Sequence, residues 1–266
     1  MLYPRIGSSS RLSLLAFVSV LLVAMVSACF GAPSQDLQQR VDQINAAIKA
    51  KGARWTARPT GVSHLEGSKL CGWKRDGESI TSLTQISPAL PLEDTDPLPA
   101  FFDWRNKDGH DWTTRIQDQG GCGSCYVFAT CAVSEGAMKV QGGIDGWQAS
   151  PDFSEQFLMS CAGFDCAGGS TTGVYNYLRD SGAPPDSCFP YTANDDQPCS
   201  DRCSDWESRI SKIFGWGRVN DTDTPTIEQI KRAIITYGPV STGFDVYTDF
   251  MSYSGGVYEH TWGELE

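Results

Sequence analysis

The residues with the clearest chemistry lie in one short stretch, Gln117-Asp118-Gln119-Gly120-Gly121-Cys122-Gly123-Ser124-Cys125-Tyr126-Val127-Phe128. Acyl transfer by a thiol needs a thiolate nucleophile, donors aimed at the developing oxyanion, and a proton partner. Val127, Phe128, Cys131, Val133 and Met138 supply one apolar side of a helix that starts at Cys125 and is closed by Gly142-Gly143. A cysteine at a helix start feels the positive end of the helix dipole, which favours the thiolate. First-turn amides lack intrahelical partners, so the backbone N–H of Cys125 is available to an oxyanion. The side-chain amide of Gln119 offers a second donor. Gly120, Gly121 and Gly123 allow a tight turn and leave room for substrate.

Two other chemistries fit part of this stretch. Cys122-Gly123-Ser124-Cys125 is also a C-x-x-C pair, which can be redox-active, although such a motif normally follows a strand in a βαβ unit and none is read here. Cys122, Cys125, Cys161 and Cys166 have a spacing not far from that of zinc modules. Against both stands the cysteine count of ten in a chain with an export signal, which favours disulfides. No metal motif or phosphate loop is found, so no cofactor is expected. The formal net charge of -11 opposes binding to phosphate backbones, so nucleic acid is not an expected partner.

The elements that must position Cys125 are spread along 266 residues. Arg5 and Arg11 precede an apolar run from Leu12 to Val26, interrupted by Ser13 and Ser19, and Val26-Ser27-Ala28 offers small residues for cleavage. Residues 1–28 therefore read as a signal peptide. Val26-Ser27-Ala28-Cys29 is also similar to a bacterial lipobox, so membrane attachment is expected only if Cys29 is lipidated. The compartment is secreted or extracytoplasmic: lysosomal or vacuolar in a eukaryote, periplasmic or lipoprotein in a bacterium. Leu37, Val41, Ile44 and Ile48 predict an amphipathic helix over Gln35–Lys51, stopped by Gly52. Pro88 to Pro99 carries four prolines and three acids, the composition of an exposed, cleavable linker. Short helices are expected over Ser154–Ser160 and Gly173–Asp180. A further helix is expected with Thr224 as cap, Pro225 in its first turn, Ile227, Ile230, Ala233 and Ile234 as its buried face, and Gly238-Pro239 as its end. Strands are expected over Val240–Tyr247 and Tyr253–Tyr258. Helices first and strands later indicate an α+β fold.

The stretch around Cys125 resembles the active-site signature of papain-like cysteine peptidases, Gln-Gly-x-Cys-Gly-Ser-Cys-Trp-x-Phe, with Tyr126 in place of the tryptophan. Further matches follow in order: Leu98-Pro99-Ala100-Phe101-Phe102-Asp103-Trp104-Arg105, Phe153-Ser154-Glu155-Gln156, Cys166-Ala167-Gly168-Gly169, Phe189-Pro190-Tyr191, Gly238-Pro239-Val240-Ser241 and Tyr253-Ser254-Gly255-Gly256-Val257-Tyr258. The resemblance implies a two-lobed fold, with a helical lobe and a β-barrel lobe that is incomplete here. Residues 98–266 would form the peptidase domain and 29–97 a propeptide that blocks the cleft. Cys125 and Gln119 would be catalytic. Gly123, Gly168, Gly169, Ser170, Thr171 and Gly243 would bind substrate, with small residues leaving a roomy apolar specificity pocket. Protein or peptide substrates, and the chain's own propeptide as inhibitor, would be the partners.

The resemblance also implies bridges Cys122–Cys166 and Cys161–Cys199; Cys188 and Cys203 then offer a third, and the odd cysteine, Cys131, reads as a buried inert thiol or as the partner of a cysteine outside these 266 residues. It places the catalytic histidine in a Gly-His-Ala strand and an orienting asparagine in an Asn-Ser-Trp-Gly stretch, and neither motif occurs in the 266 residues. His64, His110 and His260 are the histidines available. The expectation is therefore a fragment of a secreted zymogen that folds poorly alone, with Val240 to Tyr258 leaving an open sheet edge. The alternative is a catalytically inactive binding protein on a peptidase scaffold.

Overall fold

The computed structural model describes residues 34–74, 97–143, 148, 150–220 and 224–266. The signal peptide, Cys29 and most of the proline-rich linker lie outside them. The chain divides into two compact units.

The first unit joins residues up to Ser63 with Ser252–Trp262. Its helix α1 spans Gln35–Lys51 and buries Leu37, Val41, Ile44 and Ile48. The Ser34 hydroxyl caps α1 by accepting from the Leu37 N–H at 3.2 Å. Gly52, with φ 70°, ends it in the left-handed conformation that costs a glycine little. Strand β1, Trp55–Ala57, pairs antiparallel with β2, Tyr253–Gly256. The α1 face packs on Trp55 and Ala57, with Tyr253, Tyr258 and Trp262 closing the cluster. The Tyr253–Tyr258 segment is thus a strand over Tyr253–Gly256 only, and its partner precedes the peptidase-like region.

The second unit contains His64–Met251 and Gly263–Glu266. At its centre is α2, Cys125–Gln141, packed against α3, Glu155–Ala162, and α4, Thr171–Asp180, and more lightly against α5, Ile227–Tyr237. Tyr126, Val127 and Cys131 of α2 meet Phe157, Leu158, Val174, Leu178 and Phe189 in its core. Cys122–Cys166, Cys161–Cys199 and Cys188–Cys203 are disulfide-bonded. Such links stabilise chiefly by constraining the unfolded chain.

Two local expectations are corrected. Helix α5 is capped by Thr226, not Thr224: its hydroxyl accepts from the Gln229 N–H at 3.2 Å, and the Gln229 side chain accepts from the Thr226 N–H at 2.9 Å. This reciprocal box leaves Ile227 on the exposed side while Ala233 is buried. Val240–Tyr247 forms no strand; Tyr247 makes only an isolated bridge to Leu265. The Glu266 N–H donates to the Val246 carbonyl at 2.9 Å, but among the described residues no ladder continues along Val240–Asp245.

Candidate active site

Cys125 is the first residue of α2 and an unpaired, half-buried thiol. The turn before it is held from several sides. Cys122 is tied to Cys166, and the Gly123 N–H donates to the Cys166 carbonyl at 3.1 Å. Ser124, which caps α2, shares a 2.8 Å hydrogen bond with the Tyr191 hydroxyl, and that hydroxyl donates to the Gln119 carbonyl at 2.9 Å. With Cys122 held by Cys166, a Cys122–Cys125 redox pair has lost one member. Among the described residues no cluster of His, Cys, Asp or Glu has the arrangement of a metal site.

Tyr126, the departure from the signature, is buried and works on the opposite wall. Its hydroxyl accepts from the Asp165 N–H and donates to the Asp165 carbonyl, both at 3.0 Å. Burial pushes its phenol up to about 12. The ring fixes the loop that carries Gly168 and Gly169, and a Cβ on Gly169 would lie 2.7 Å from it. Gly168 has φ 91°, a conformation that favours glycine. Ser170 then caps α4 by accepting from the Thr172 N–H at 3.1 Å, and Thr171 begins that helix.

The segment His64–Lys74 lies along this same surface. The Gly169 N–H donates to the Gly72 carbonyl at 2.8 Å, and the Lys74 N–H donates to the Gly169 carbonyl at 2.8 Å. Trp73 and Gly169 thereby form a parallel bridge. The Gln119 amide donates to the Leu70 carbonyl at 3.0 Å and to the Cys122 carbonyl at 2.8 Å. Gly72 is wedged in: a Cβ there would fall 1.6 Å from the Gly123 carbonyl oxygen, and one on Gly168 would fall 2.3 Å from the Gly72 oxygen. The Trp73 ring covers Gly243, where a Cβ would come within 2.6 Å of it. Thus Gly123, Gly168, Gly169, Gly243 and Gln119 all meet one stretch of chain, Leu70–Lys74. Sequence reasoning missed this stretch; its only signal is a small residue, Gly72, between Cys71 and a bulky aromatic.

Behind α2, Glu135 and Glu155 are each 1% exposed. The Phe153 N–H donates to Glu135 at 2.7 Å, and the Gln117 amide reaches Glu155 at 3.4 Å. Burial raises their carboxyls to about 7 and about 8. Arg115 bridges Asp152 at 3.3 Å and Asp186 at 3.2 Å nearby. Cys131 is fully buried, and burial pushes its thiol far up.

The histidines sit elsewhere in the local structure. His64 is exposed. His110 closes a turn with Lys107, and its ring stands edge-on to Trp112 at 6.1 Å. The His260 carbonyl accepts from Lys51 at 2.6 Å within the first unit.

Residues 98–266 match the pattern of the papain family cysteine proteases. The cathepsin B-like CP3 of Giardia intestinalis is 31% identical over 261 residues, covering 92% of this chain and 80% of the relative. A cathepsin L-like proteinase of Fasciola hepatica is 31% identical over 180 residues, covering 65% of this chain and 50% of the relative. In fold, the chain is similar to procathepsin B S9 of Trypanosoma congolense, with a TM-score of 0.64 at 23% identity, over 85% of this chain and 78% of that one. It is also similar to procathepsin L 3 of Tenebrio molitor larval midgut, with a TM-score of 0.62 at 20% identity, over 87% and 73%. With the motif order, the bridged turn before Cys125 and these matches together, the chain belongs to the papain family of cysteine proteases.

Proposed function

We propose that this chain is the latent form of a thiol peptidase, in which Cys125 is the nucleophile and the segment before the peptidase domain closes the cleft. The observation that carries the reading is the position of Leu70–Lys74, whose backbone takes up both polar groups of Gly169 and the side-chain amide of Gln119. Those are the groups that a bound peptide would use. In the open enzyme the Cys125 thiolate attacks the peptide carbonyl carbon. The oxyanion takes hydrogen bonds from the Gln119 amide and the Cys125 N–H, the amine leaves with a proton, and water hydrolyses the thioester. By the family resemblance the proton partner would be a histidine of a Gly-His-Ala strand, a stretch that the 266 residues do not contain.

Residues 1–28 act as the export signal, 29–97 as the propeptide and 98–266 as peptidase domain, so the protein works in an extracytoplasmic compartment. The three disulfides of the second unit fit that compartment. The surface at Gly243 has room for a large aromatic side chain, because the Trp73 ring lies against that glycine. A peptidyl epoxide carrying such a side chain tests the reading. It should label Cys125 in chain cleaved within residues 88–96, and the label should vanish in Cys125→Ala. Equal labelling of Cys125→Ala would overturn the assignment.

A further inference from the structure

Cys71 is the second unpaired half-buried thiol of the unit. It is held from both sides over the start of α2. On one side Leu70 is fixed by the Gln119 amide at 3.0 Å. On the other, Gly72 is packed against Gly123, two residues before Cys125, and its carbonyl is fixed by the Gly169 N–H. The lack of a side chain at Gly72 is what lets the backbone come this close. Burial, and then the charges of Cys125 and Glu266, raise the Cys71 thiol. The remaining cysteines of the unit cannot compete: six are bonded, and Cys131 is fully buried in the core.

We propose that Cys71 and Cys125 are a redox latch, joined to each other by thiol–disulfide exchange with a low-molecular-weight disulfide such as oxidised glutathione. The Cys125 thiolate attacks one sulfur of the small disulfide and expels one thiolate, giving a mixed disulfide. The Cys71 thiol then loses its proton and attacks the Cys125 sulfur, expelling the second thiolate. Two protein thiols give up two electrons and two protons, and one small disulfide becomes two thiols. The bond turns a hydrogen-bonded plug into a covalent one and removes the nucleophile until a reductant restores it. The inference rests on the Cys125 assignment only for its consequence; the bond itself depends on placement.

The test uses the whole purified chain. It is incubated with oxidised glutathione, quenched with N-ethylmaleimide and mapped by mass spectrometry without reduction. The expected product is a cross-linked peptide pair containing Cys71 and Cys125, two hydrogens lighter than the separate peptides. Alkylation of Cys125 by iodoacetamide should fall at least about tenfold on oxidation and recover with dithiothreitol. In Cys71→Ser, Cys125 should stop at the glutathione adduct. Separate glutathione adducts on Cys71 and Cys125 in the unsubstituted chain, or no reaction of either, would overturn the latch. A cross-link in a chain that never takes the peptidyl epoxide after cleavage would uphold the latch and sink the peptidase reading instead.

Discussion

The side-chain amide of Gln119 donates to the carbonyl oxygen of Leu70 at 3.0 Å. An amide suited to an oxyanion is thus held by a ground-state carbonyl of the same chain. Replacing Gln119 by Ala removes that bond, worth about 1 kcal/mol net, so the plug should open more often. Iodoacetamide should then alkylate Cys125 about five times faster in Gln119→Ala than in the unsubstituted chain, in the presence of a reductant. An unchanged rate would mean that Leu70 does not help to hold the segment.

Gly72 supplies a sharper perturbation. An added Cβ would meet the Gly123 carbonyl at 1.6 Å, which is backbone and cannot swing aside. Gly72→Ala should therefore lift the segment without touching the core of the unit. The expected result is alkylation of Cys125 accelerated at least about tenfold, with the melting temperature changed by no more than a few degrees. Slow alkylation of a folded Gly72→Ala chain would show that the segment closes the cleft some other way.

The two buried glutamates give stability a pH dependence whose sign can be worked out. Their carboxyls titrate at about 7 and about 8 in the folded chain because burial disfavours the charged form, against about 4.3 when unfolded. The folded state thus holds protons that the unfolded state releases. Their contribution is complete below about pH 4.3 and is lost as pH rises through 7 to 8. The melting temperature should fall by about 5 °C or more between pH 5 and pH 8. The double variant Glu135→Gln, Glu155→Gln should flatten that slope. A slope equal in both chains would assign the dependence to other groups.

Cys161–Cys199 closes a loop of 38 residues between α3 and the turn at Cys199. Its removal in the double variant Cys161→Ala, Cys199→Ala should cost about 2–4 kcal/mol, read by urea titration. A loss below about 0.5 kcal/mol would mean that the unfolded chain is constrained without it.

Helices with uninterrupted apolar stripes and strong ends were legible in the sequence. Helix α1 begins and ends where Leu37, Val41, Ile44, Ile48 and Gly52 place it, and α2 begins at Cys125. The cap of α5 was misread by two residues because Thr224 and Thr226 are equally suited by type; only the reciprocal bond to Gln229 decides. The pairing of Trp55–Ala57 with Tyr253–Gly256 was not legible, since a three-residue strand has too little pattern to announce a partner almost two hundred residues away. Gln119 and the glycines at 123, 168, 169 and 243, which the sequence singles out, are the residues that Leu70–Lys74 meets. The segment itself was not legible, because Leu70–Lys74 docks through backbone groups, and backbone hydrogen bonding leaves almost no trace in residue type.

In the proposed reading Cys125 is a peptidase nucleophile that Leu70–Lys74 keeps from its substrate. The most direct measurement is the rate at which a peptidyl epoxide labels Cys125, taken under reductant before and after proteolytic cleavage within residues 88–96 and removal of the released segment. The label should appear on Cys125 alone, and its rate should rise at least about a hundredfold on cleavage. A rate that is the same before and after, or label spread evenly over Cys71, Cys125 and Cys131, would contradict it.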